Sequence, residues 1–67
     1  MVENLMEGLL KEIKRNRELV TEYRAIGQNG GIAILFIEGD IEDAEQAIKD
    51  NDVVAMARAY KKLKGHE

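Results

Sequence analysis

The residues best suited to hold a charged ligand sit in and just after one basic stretch. "KRNRE", Lys14 to Glu18, crowds Lys14, Arg15 and Arg17 together, and Arg24 follows two turns later. Arg17 and Arg24 are seven residues apart, which places them on one helix face beside Tyr23. Two guanidiniums and a phenol suit a phosphate, a carboxylate or a flat base. The loop that follows, "GQNGG", offers Gly27, Asn29 and Gly30, with backbone N–H groups that can meet an anion at a helix start. The plainer account pairs the arginines with Glu18 and Glu22 and makes the loop a simple bend. The loop is not a Walker sequence, because the Lys-Ser/Thr end is missing. It is not a dinucleotide fingerprint, because no strand precedes it and the spacing fails.

Metal and catalytic chemistry find less support. Glu38, Asp40, Glu42, Asp43 and Glu45 form an acidic run, but no Glu-x-x-His motif accompanies them, and they read as the wet face of a helix. "DNDVV" lacks the third acid and the glycine of a calcium loop. The chain has no cysteine and no serine. Its one histidine is His66, and Thr21 is its one aliphatic hydroxyl. Nucleophile, base and orienting group therefore cannot be assembled in the usual ways. The expectation is a protein that is not an enzyme and needs no metal or other cofactor.

The elements that must position these residues are helices. Val2, Met6, Leu9, Ile13, Asn16, Val20 and Tyr23 step by 4, 3, 4, 3, 4 and 3, a heptad-type stripe. Asn16 interrupts it. Such an asparagine either sets register from a buried position or turns to water. Gly27 fits a left-handed helix cap, and Asn29-Gly30 a turn. "IAILFI", Ile32 to Ile37, is β-rich enough to suggest a buried strand. Yet Ile34, Ile37, Ile41, Ala44 and Ile48 step by 3, 4, 3 and 4 straight through Gly39, and no second β-rich segment offers a partner. Helix is the favoured reading. Asp52 is an N-cap for a third segment whose Val53, Met56, Tyr60 and Leu63 step by 3, 4 and 3. The pattern predicts one small all-α domain over residues 1–67. A long helix (about 2–25) and a second (about 31–49) form a hairpin through the glycine-rich turn, and a short third (about 53–64) follows.

Composition sets the wider frame. Charged residues make up 34% of the chain and apolar ones 45%, which argues against disorder. A net charge of −3 disfavours a general nucleic-acid coater. The longest apolar run is too short to span a bilayer and no leader peptide is visible, so a cytoplasmic protein without membrane contact is expected. A 67-residue chain has little core to spare, and Leu5, Leu10, Leu19, Leu35 and Phe36 cannot all be buried in one small hairpin. Self-association follows as an expectation, most simply as a homodimer. Those five residues with Asn16 and Tyr60 are the candidate interface.

The segments "RNREL" (Arg15 to Leu19), "IGQNG" (Ile26 to Gly30) and "DVVAMARAY" (Asp52 to Tyr60) resemble short uncharacterised helical proteins encoded by phages and prophages. The resemblance spans most of the chain and implies no catalytic residue. It implies a small product that acts by binding, blocking or sequestering a host factor, with interference in host defence as the context. Two alternatives remain open from the residues themselves. One is a sponge-like binder of a small anionic, nucleotide-type ligand at an oligomer interface, held by Arg17, Tyr23, Arg24 and the loop. The other is a purely structural assembly element.

Overall fold

A computed structural model describes residues 2–27 and 31–66 of the chain. It is all-α, with α1 over Val2–Ala25, α2 over Ile32–Lys49 and α3 over Val53–Lys64. Residues 32–37 belong to α2, so the strand reading falls. The 3–4 spacing prevails because Ile34, Ile37, Ile41 and Ala44 all reach the core along one helix face. β-branched propensity is a weaker term than that burial.

Each helix ends for a local reason. α1 stops at Gly27, whose φ of +89° is cheap only for glycine, and the Gly27 N–H donates to the Arg24 carbonyl at 3.1 Å. α2 closes through Asn51 at φ +54°, the left-handed conformation asparagine tolerates. There Asp52 N–H donates to Ala47 O at 3.0 Å and Asn51 N–H to Ile48 O at 3.1 Å, a Schellman closure. Asp52 then caps α3 by accepting from Ala55 N–H at 3.1 Å.

The core is Leu9, Ile13, Val20, Ile34, Ile37, Ile41, Ala44, Ala47, Met56, Ala59 and Leu63, with Asn16 buried among them. Each fully buried Leu, Ile or Met contributes roughly 1.5–3 kcal/mol. Every helix touches the other two. Val53, counted in the α3 stripe, remains 42% exposed in the first turn, and the buried residues of α3 are Met56, Ala59 and Leu63.

The helices differ in reach. α1 is about 36 Å long at 1.5 Å per residue, close to the 38 Å long dimension of the molecule. α3 is half as long. Its end lies level with Arg15 and Asn16 of α1 and Asp40 of α2, as the contacts of Leu63 and His66 show. Beyond that level α1 and α2 continue as a two-helix arm.

Candidate functional site

The two arginines expected to bind a ligand lie on one face of α1, and α2 answers both. Arg17 pairs with Glu45, and Arg24 with Glu38 at 2.9 Å. Glu18 and Glu22, the partners the local sequence suggests, are not used. The hairpin is antiparallel, so a rise of seven residues in α1 is matched by a fall of seven in α2. All four side chains stay 42–55% exposed, and such pairs are worth about 1 kcal/mol or less.

Between these pairs runs an open groove of about 450 Å³, floored by Val20 and Ile41 and edged by Thr21 and Glu42. Its charged lining is two guanidiniums and three carboxylates, Glu38, Glu42 and Glu45. An anion there would have to displace carboxylates from both arginines. Thr21 Oγ1 donates to the Arg17 carbonyl at 3.1 Å, an ordinary back-bond within a helix. Tyr23 is half-buried against the core. Gly27 is used as the α1 cap, while Asn29 and Gly30 lie outside the described residues.

The acidic run divides as the helix period dictates. Glu38 and Glu45 serve the arginines, Asp40 meets His66 at 2.6 Å, and Glu42 and Asp43 face water. Among the described residues no group of three or more His, Asp or Glu side chains is placed to hold a metal ion.

A polar cluster that the sequence did not single out closes the end of α3. The Arg15 guanidinium donates to Leu63 O at 2.8 Å and His66 O at 2.9 Å, and its Nε donates to Glu12 at 2.9 Å. Asn16 Nδ2 donates to Leu63 O at 3.2 Å and to Glu12 O at 2.7 Å. Leu63 O, which also accepts from His66 N–H at 3.2 Å, thus gains further donors on α1 at the end of α3. Asn16 is fully buried, and its Oδ1 has no partner. Of the two readings of Asn16 the buried one holds, but its partners belong to its own chain. It is not available as a contact for another copy.

The remaining candidate interface residues separate into two groups. Leu5, Leu19 and Tyr60 are half-buried against the core. Leu10, Leu35 and Phe36 are 51%, 63% and 65% exposed. Ile26, Ile32, Val53 and Val54 join them outside, at 73%, 70%, 42% and 62%. Ile32 escaped notice in the sequence because it sat inside the contested apolar run. Among the described residues no helix is long and apolar enough to cross a membrane. No protein family, curated protein or solved structure matches the chain.

Proposed function

We propose that this protein acts by binding and not by catalysis, as a self-associating helical module of the cytoplasm that docks a second protein and blocks or sequesters it. The observation that supports this most is the apolar exterior. Among the described residues seven large apolar side chains stand 42–73% exposed, against a core of eleven apolar residues. Isolated exposed leucines are ordinary, but apolar surface on this scale in so small a protein marks contact sites. The resemblance to phage-encoded proteins supplies the context, a host factor as the blocked partner. The anionic-ligand reading has less behind it, since the arginines it needs are already paired with carboxylates.

The test is native mass spectrometry of the protein purified from its own cells, with a photo-crosslinking residue at Val54. The expected result is a homo-oligomer and one reproducible crosslinked protein. That protein, remade pure, should bind with a Kd weakened at least about tenfold by Val54→Asp. An adduct of nucleotide size would replace this reading with the ligand alternative. An oligomer that binds nothing would leave the structural element. A bare monomer would overturn self-association.

A further inference from the structure

Three features of α2 have no use among the described residues of a single copy. First, Ile32, Leu35 and Phe36 are 63–70% exposed on the side of the helix away from Ile34, Ile37 and Ile41. Second, Gly39 follows on that same outward side. A Cβ placed on it would meet nothing within 4 Å, and its φ is not in the left-handed region. Nothing in the fold requires glycine there, although glycine weakens a helix interior. Third, the start of α2 is poorly capped. Its N-cap, Gly31, gives no side-chain hydrogen bond, and the first turn carries no acid. Among the described residues no side-chain cap and no first-turn acid answers the positive end of the helix dipole.

Ile32, Phe36, Gly39 and Asp43 step by 4, 3 and 4 along this face, the spacing of a packed helix pair. We infer that α2 packs antiparallel against α2 of a second copy, about a two-fold axis passing between Phe36 and Gly39. In that register Phe36 lies over the bare backbone at Gly39 of the partner subunit. Asp43, which is exposed, comes beside the uncapped first turn at Ile32 of the partner subunit. The axis repeats both contacts in reverse.

The occupant is a second copy because the face is complementary to itself. The bulky residue and the gap sit on either side of the axis. The carboxylate and the helix start lie four residues further out on opposite sides. A foreign helix would not need both halves of each pair on one face. The surface covered is on the order of 1,000 Å² over both copies, the low end for a specific interface and suited to a concentration-dependent dimer.

This inference rests on the self-association proposed above, and sedimentation equilibrium separates the two. Wild-type protein should dimerise across roughly the micromolar to millimolar range. Gly39→Leu fills the gap, and Phe36→Ala removes the side chain that enters it. Each should raise the dimer Kd about tenfold or more while circular dichroism stays fully helical. Neither site is enclosed in the monomer, so folding should survive both changes. Asp43→Lys should weaken the dimer, and Glu42→Lys, the same charge change one position round the helix, should not. A dimer indifferent to Gly39→Leu and Phe36→Ala would overturn the α2 contact and leave self-association standing. A wild-type chain that stays monomeric throughout would overturn both.

Discussion

Gly8 and Gly39 are both glycines inside helices, and their surroundings are opposite. A Cβ on Gly8 would lie 3.0 Å from Tyr60 Cε1, while one on Gly39 would meet open space. Both substitutions to alanine gain roughly 1 kcal/mol of helix propensity. At Gly8 the methyl must push aside a ring that is packed against the core and has Lys64 Nζ 5.6 Å from its centroid. Overpacking of this kind costs typically 1–3 kcal/mol. Gly8→Ala should therefore give no gain or a net loss in urea denaturation. In a Tyr60→Leu background the same change should become stabilising, and equal effects in the two backgrounds would show that the ring does not set the cost. Gly39→Ala, measured on dilute monomer, should stabilise by about 1 kcal/mol. The ring over Gly8 comes from 52 residues away, so the sequence alone does not distinguish the two glycines. Arg15 was illegible for the same reason. Within "KRNRE" it cannot be told from Lys14 and Arg17, and only the arrival of α3 selects it to hold the carbonyls of Leu63 and His66.

At the scale of the helices the signals were local, and the elements were correspondingly legible. The 3–4 spacing carried α2 through a β-rich run and a glycine, and Gly27 and Asp52 closed and opened helices as their types suggest. Asn51 reverses the chain through its left-handed φ, and no helical spacing marks it in the sequence. The Asp52 cap holds a single hydrogen bond to Ala55 N–H. Asp52→Ala should cost about 1 kcal/mol, read as a lower urea midpoint with an unchanged slope. The α1–α2 pairs should behave differently. Glu38→Ala and Glu45→Ala should each cost less than about 1 kcal/mol, and in concentrated salt the cost should fall toward zero. A larger, salt-resistant loss would mean that the groove depends on these pairs for its shape. Pairing partners belong to the fold and not to the element. Glu18 and Glu22 are nearer in sequence, but the antiparallel hairpin brings Glu45 and Glu38 instead.

For the whole molecule, the inequality of helix lengths has the largest consequence. Around Leu9, Ile13, Ile41, Ala44, Met56 and Leu63 three helices enclose the core. Past the end of α3, Val20, Ile34 and Ile37 are buried by two helices and by their half-buried neighbours Leu19 and Tyr23. Local opening is easiest where few apolar contacts must be broken. In dilute protein, amide exchange should be slowest over residues 9–16, 41–47 and 56–63. It should be clearly faster over residues 17–25 and 32–38, although both stretches are regular helix. Uniform protection would mean that the two-helix arm is as stable as the three-helix end. Raising the concentration adds a second reading. If copies associate through the outer face of α2, the gain in protection should concentrate in the first half of α2, and the α3 amides should change little. An equal rise along all three helices would instead locate the contact elsewhere. The arm would then be the least stable part of the chain and also the part that a second copy completes. A small protein can meet its shortage of core in this way, by leaving the last of its apolar burial to association.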